Sequence, residues 1–345
     1  MIRERLTPIA SSARALGARG STRSNIARVI TALAILLVAI TVVGIEQSSS
    51  SHAAQLVPGC RTASPGSTTL ALTVNGFKRT VVVHVPQATT NVLPLPLVLN
   101  LHGTDGSAAG QEALTNMDAT SDAKNFIVAY PQALIPVTTG FAWNVPGFPL
   151  YGNKAVPLNA ANDVVFLSHL PKILEQMYCI DPAAVYATGY SGGAREVSQL
   201  ACEASNVFAA VAPVDGLRRP TPCSAKRAVP IIAFHGSADP INPFAGHGQS
   251  YWTYSVSTAA LYWARQDRCS TRPTVAAPVP GVRLTSYTRC SQGSVVRLYE
   301  ILGEGHQWPG GPPVSPAQIA LLGPQSNALN ANAVIWSFFA SHRRN

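Results

Sequence analysis

Short apolar runs alternate with segments of helical periodicity along most of the chain. Two runs, TTLALTV and TVVVHVP, flank Asn75-Gly76. That dipeptide tolerates the positive φ of a two-residue hairpin, so an antiparallel pair is predicted there. LPLVLNLHG, NFIVAYP, AAVYATGY, VFAAVAPV, VPIIAFHG and SVVRLYEI then follow as nearly continuous apolar runs, the mark of strands covered on both faces. Between them, Gln111–Lys124, Asp163–Met177, Gly192–Ala204 and Tyr251–Arg265 have helical character, and Val334, Ile335, Phe338 and Phe339 share one helical face near the end. This alternation predicts the α/β class: a mostly parallel sheet with helices on both faces. Such sheets bind ligands beyond the C-terminal ends of their strands.

The first 53 residues depart from this pattern. Six arginines precede or enter the apolar run VITALAILLVAITVVGI, and a polar stretch follows. Ser51-His52-Ala53 offers small residues at the two positions a signal peptidase reads, with a cut before Ala54. Residues 1–53 are therefore expected to be a signal peptide, or an N-terminal membrane anchor if uncleaved, since about 17 residues is the lower edge of a span. Residues 54–345 are expected to form one domain, secreted or extracytoplasmic. The chain carries a net charge of +9, which falls to +5 without the six arginines and two glutamates of the leader. No basic patch with interleaved aromatics remains, which argues against nucleic acid as a partner. All six cysteines lie after the leader and none shows C-x-x-C spacing; an even number in an exported chain favours disulfides over zinc or redox chemistry.

One strand end carries a motif. Gly189-Tyr190-Ser191-Gly192-Gly193 is a G-x-S-x-G between an apolar run and a helical segment. A strand-to-helix turn with glycines on both sides presents a serine hydroxyl at a helix N-terminus, where backbone N–H groups can hold an oxyanion. Such a serine needs a base and an acid to orient the base. Asp239 follows the run VPIIAFHG and His306 follows SVVRLYEI, both just past strand ends. The order Ser191, Asp239, His306 is that of the α/β-hydrolases. Asp215, at the end of the preceding strand, stands as a rival acid; His235 reads as packing and His102 as a loop-shaping residue. The loop after LHG places the N–H of Thr104 opposite that of Gly192, a pair of oxyanion donors. No H-E-x-x-H, P-loop or dinucleotide fingerprint occurs, so this chemistry requires no metal and no organic cofactor.

The combined segments LHGTDGSA, ANDVVFL, CIDPAAVYATGYSGGA, FAAVAPVDG, PIIAFHGSADPINPF and GEGHQWPGG resemble the secreted polyhydroxybutyrate depolymerase and feruloyl esterase-like family of α/β-hydrolases. The resemblance runs from about Thr68 to His342. It implies the α/β-hydrolase fold, with nucleophile, acid and base on Ser191, Asp239 and His306. It also implies an aromatic substrate side at Trp143, in Ala142-Trp143-Asn144, and at Trp308; Tyr190 is a further pocket candidate. Gly192 follows the serine where relatives often carry Asn or Ala, and Ala194 replaces Met, which implies a roomier pocket. The function so implied is an exported serine esterase acting on a small or polymeric ester of the polyhydroxybutyrate, feruloyl or acyl-polysaccharide type. A serine peptidase of the same fold, or a non-catalytic binding scaffold, are the alternatives. Among the cysteines, Cys179 precedes the nucleophile strand and Cys202 ends the helix running back antiparallel to it, so these are expected to pair. Cys269 and Cys290 flank an insertion and are expected to staple it, leaving Cys60 with Cys223.

Overall fold

The computed structural model describes residues 63–87 and 94–344; the leader and Cys60 lie outside the described residues. A hairpin opens the fold: β1 (Gly66–Val74) and β2 (Phe77–Val85) pair with Val74 opposite Phe77, so Asn75 and Gly76 form the whole turn at φ 49° and 80°. Then come β3 (Leu95–Leu101), α1 (Ala108–Thr115), α2 (Met117–Lys124) and β4 (Ile127–Pro131). A two-residue ladder, β5 (Ile135–Pro136) with β6 (Phe141–Ala142), precedes α3 (Asp163–Leu174). The centre is β7 (Ile180–Tyr190), α4 (Gly192–Glu203), β8 (Ala210–Val214) and β9 (Ile231–Gly236). After α5 (Val256–Gln266) the chain adds β10 (Thr274–Ala276), β11 (Val282–Tyr287) and β12 (Val296–Ile301), then α6 (Pro316–Leu322) and α7 (Ala331–Ala340).

Ten strands form one sheet in the order β1-β2-β4-β3-β7-β8-β9-β12-β11-β10 among the described residues. The six from β4 to β12 are parallel, and the outer pair at each edge is antiparallel. The apolar runs are continuous because alternate residues feed two cores. Val81, Val83, Leu97 and Leu99 pack on the face covered by α3, α4 and α5, whereas Val82 and Val98 pack on the face covered by α1, α2 and α7. A parallel sheet buried on both faces requires this double demand.

Several elements differ from the sequence reading. The expected helix 111–124 is two helices, because Asn116 takes the left-handed conformation (φ 45°) that ends α1, and its N–H closes on the Glu112 carbonyl. Helix α5 starts at Val256 rather than Tyr251, since the Ser255 hydroxyl caps it by accepting from the Thr258 N–H. Strands β10 and β11 lie inside the insertion between Cys269 and Cys290. Val275 is exposed and the Thr274–Ala276 strand buries nothing, so no apolar pattern announces it.

The disulfides also differ. Cys202 is bonded to Cys223, not to Cys179, and Cys223 is therefore not the partner of Cys60; Cys269 is bonded to Cys290. The parallel β8 and β9 force residues 215–230 to cross the full depth of the sheet. They do so without a helix, running alongside α4: the Arg218 N–H meets the Ser198 hydroxyl and the Lys226 N–H the Ser205 hydroxyl. Cys223 passes Cys202 between those two contacts. Cys179 is itself disulfide-bonded.

Candidate active site

Ser191 is the residue between β7 and α4, at φ 53° and ψ −112°. A serine pays for this conformation in backbone strain, and close packing enforces it. The Ser191 N–H is held by the Val214 carbonyl at 2.9 Å, and a methyl placed on Gly193 would lie 2.4 Å from the Leu101 carbonyl oxygen. The elbow thus needs glycine because α4 starts directly against the end of β3. A methyl placed on Gly192 would lie 2.3 Å from the Thr104 hydroxyl and 2.9 Å from its nitrogen. The roomier pocket expected from Gly192 is therefore absent: Thr104 occupies the space, and its backbone stands against that of Gly192.

His306 and Asp239 meet after β12 and β9. His306 Nδ1 and Asp239 Oδ2 are 2.7 Å apart, and both side chains are buried. Asp239 accepts more: its Oδ1 takes the N–H groups of Ile241 and Asn242, each at 2.8 Å, and its Oδ2 lies 3.2 Å from His235 Nε2. Burial pushes the carboxyl up, but the His306 charge and the hydrogen bonds from His235 and His306 outweigh it and hold Asp239 well below the usual carboxylate range. Burial lowers the His306 pKa, and the Asp239 carboxylate only partly restores it. The Tyr190 hydroxyl donates to the His306 carbonyl at 2.6 Å and fixes that loop. Ser191, His306, Tyr190 and Thr104 line one cavity of about 330 Å³.

The other candidates sort by contact. His102 is a loop-shaping residue: its Nδ1 bonds the Gly103 carbonyl at 2.7 Å and its Nε2 accepts the Ala133 N–H at 3.1 Å. Burial lowers its pKa to about 4, so it stays neutral. Trp143 packs behind the same loop, its indole N–H donating to the His102 carbonyl at 2.8 Å; it supports the site rather than facing the Ser191 cavity. Trp308 does not reach the cavity. It is 1% exposed, and its indole N–H donates to Asn332 of α7; a buried indole needs such an acceptor, and α7 supplies it. Tyr190 does line the cavity. The sequence reading missed Arg195, Tyr251 and Ile241, which also line it. Arg195 had a signal: it is a charge one turn after Ser191 in an otherwise small-residue helix start. The donor atoms of Asp215, His235 and Asp239 lie within 4.8 Å of one another, close enough for a metal, but Asp239 is already surrounded by four donors.

No protein-family model matches the chain. "Putative esterase NocK" of Nocardia uniformis subsp. tsuyamanensis is 30% identical over 249 residues, covering 65% of this chain and 69% of that protein. The chain belongs to the polyhydroxybutyrate depolymerase and feruloyl esterase-like family of α/β-hydrolases. Feruloyl esterase B of Piromyces equi, another relative of this esterase family, is 29% identical over 244 residues, 66% of this chain. The match spans only 42% of that relative's length. Poly(3-hydroxyalkanoate) depolymerase C of Paucimonas lemoignei is 31% identical over 123 residues, 35% of this chain and 28% of its own. The α/β-hydrolase fold of the esterase family extends to the crystal structure of native pOPH. It is 15% identical with a TM-score of 0.51, covering 83% of this chain and 90% of that one.

Proposed function

We propose that the chain is an exported serine hydrolase of carboxylic esters. The observation that carries this reading is the His306–Asp239 bond at 2.7 Å, with His306 lining the cavity that Ser191 enters from a strained turn. Asp239 accepts a hydrogen bond from the Nδ1–H of His306, leaving the Nε2 lone pair for the Ser191 hydroxyl. As that proton moves to Nε2, Ser191 Oγ bonds the ester carbonyl carbon. The N–H groups of Gly192 and Thr104 hold the resulting oxyanion. The intermediate collapses, the bond to the alcohol oxygen breaks, and His306 returns the proton to the leaving alcohol. Water, deprotonated by the same nitrogen, then attacks the acyl-enzyme and releases the acid. The names of the relatives support feruloyl, acetyl-xylan or hydroxyalkanoate esters as substrates. The disulfides suit an oxidising compartment, and the arginine-rich leader supplies the route. Among the described residues no helix is long and apolar enough to cross a membrane.

The test is hydrolysis of 4-nitrophenyl acetate by residues 54–345, beside Ser191→Ala. Activity should fall by about 10⁴- to 10⁶-fold in the variant, with an unchanged circular dichroism spectrum. A folded wild type that neither turns over ester nor takes up a fluorophosphonate label would reject the reading in favour of a binding scaffold.

A further inference from the structure

Arg195 is buried in the cavity that holds Ser191 and His306, and among the described residues its charge forms no ion pair. It is 8% exposed, and its Nη2 donates a long bond, 3.3 Å, to the Thr104 hydroxyl. Its Nη1 is buried without a hydrogen-bond partner, and no carboxylate of the described residues pairs with it. Its guanidinium rests against aromatic faces, 5.1 Å from the Tyr251 ring centre and 5.9 Å from that of Phe148.

The other arginines buried in this region make shorter bonds through their Nη atoms, although the Nε of each is also without a partner. Arg79 pairs with Asp163 at 2.6 Å, and Arg218 donates to the Gln199 side chain and the Pro146 carbonyl, each at 2.6 Å. A buried cation left unpaired costs several kcal/mol, so a guanidinium with a free Nη1 that lines the cavity of Ser191 calls for a ligand. The neighbouring acid in the cavity, Asp105, is not that partner. Its carboxylate faces its own loop, taking the N–H groups of Thr139 and Gly140 at 2.6 and 2.7 Å and the Thr139 hydroxyl at 3.0 Å.

We propose that Arg195 is a specificity residue that binds a carboxylate carried by the ester substrate. The proposal rests on the esterase reading of Ser191 and narrows it to acid-bearing esters. Thr104 links the two functions: its backbone stands against Gly192 beside the reacting carbonyl, and its hydroxyl contacts Arg195. A substrate carboxylate a few bonds from the scissile carbonyl would then take the free edge of the guanidinium. The planar fork suits this bidentate pairing, and the aromatic faces hold it in one plane.

The carboxylate can belong to the acyl half or the alcohol half, and two substrate pairs separate these. On the acyl side, mono-4-nitrophenyl succinate is compared with its neutral methyl ester. On the alcohol side, 4-acetoxybenzoate is compared with methyl 4-acetoxybenzoate. In wild type, kcat/KM should favour the free acid by about 10- to 100-fold in one pair, the worth of one charge-assisted hydrogen-bonded contact. Arg195→Met should bring that ratio to about one, and Arg195→Lys should keep part of it. A wild type without preference in either pair overturns the proposal, as does a preference that survives in Arg195→Met.

Calorimetric titration with monomethyl succinate and with benzoate needs no turnover, so it separates this proposal from the esterase reading. Binding of either acid to wild type and its loss in folded Arg195→Met are expected even if no ester is cleaved. Binding of neither acid to a folded wild type overturns the anion site while leaving the Ser191 chemistry standing. Should Arg195→Met fail to fold, Arg195→Lys and Arg195→Gln carry the same comparison, with circular dichroism as the control.

Discussion

Asp239 and Asp215 leave neighbouring strands at the same edge of the sheet, and both border His235. Their carboxyls nevertheless have opposite chemistry. Four donors surround Asp239: two backbone N–H groups and two imidazoles. Asp215 accepts one N–H, from Gly236 at 3.0 Å, and its second oxygen is buried with no partner. Burial raises both carboxyls, but in Asp215 the His235 charge only partly opposes it, and Asp239 and Glu304 push it further up. Asp215 is thus pushed toward its protonated form while Asp239 is pushed toward its ionised form. Burial by itself does not make a charged orienting acid; the donors gathered around the carboxylate do.

The largest effect should separate these two acids directly. Asp239→Asn removes the charge and the acceptor that fix the His306 tautomer, and kcat should fall by about 10⁴-fold. Asp215→Asn keeps an acceptor for the Gly236 N–H at a side chain that makes no hydrogen bond to His306, and should cost less than about tenfold. Steady-state kinetics on 4-nitrophenyl acetate compare them, and equal losses would remove the distinction drawn between the two sites.

A smaller effect lies in the pH profile. The proposed general base, His306, must be neutral to act, and burial lowers its pKa from 6.5. The acid limb of kcat/KM in wild type should therefore have its midpoint below pH 6.5, with activity lost as pH falls through it. His235 opposes protonation of His306 by its own charge and binds the Asp239 carboxylate. His235→Asn should shift the limb to higher pH, with about a tenfold loss of kcat/KM. A limb that stays in place would show that His235 acts only as packing.

The smallest effect concerns stability. Glu304, beside the same loop, is buried with one oxygen unpartnered, and burial raises its pKa from 4.5 to about 8. The folded state therefore binds a proton more tightly than the unfolded chain does. That stabilisation is complete below about pH 4.5 and is lost as pH rises through about 8. Glu304→Gln should flatten the fall in Tm between pH 5 and pH 9, read by differential scanning calorimetry at several pH values. An unchanged slope would place the pH sensitivity elsewhere.

Much of the centre was legible because its signals are local. Asn75-Gly76 makes a hairpin turn through two backbone conformations, and the glycines around Ser191 make an elbow because no side chain fits against Leu101 and Thr104. The continuous apolar runs encode strands buried on both faces, and the order of strand ends puts Ser191, Asp239 and His306 at one edge. These properties depend on a residue and its near neighbours, so sequence determines them. The edge strands β10 and β11 were illegible because an edge in solvent imposes no apolar pattern. The partner of Cys202, the burial of Trp308 against α7 and the unpaired charge of Arg195 were decided only in three dimensions. Each depends on what a distant segment brings alongside: the helix-free crossover carrying Cys223, the Asn332 acceptor, and, among the described residues, the lack of a carboxylate paired with the guanidinium. Sequence determines where a strand ends and which backbone it can adopt; tertiary structure decides which donors and charges surround the group placed there, and that sets its chemistry.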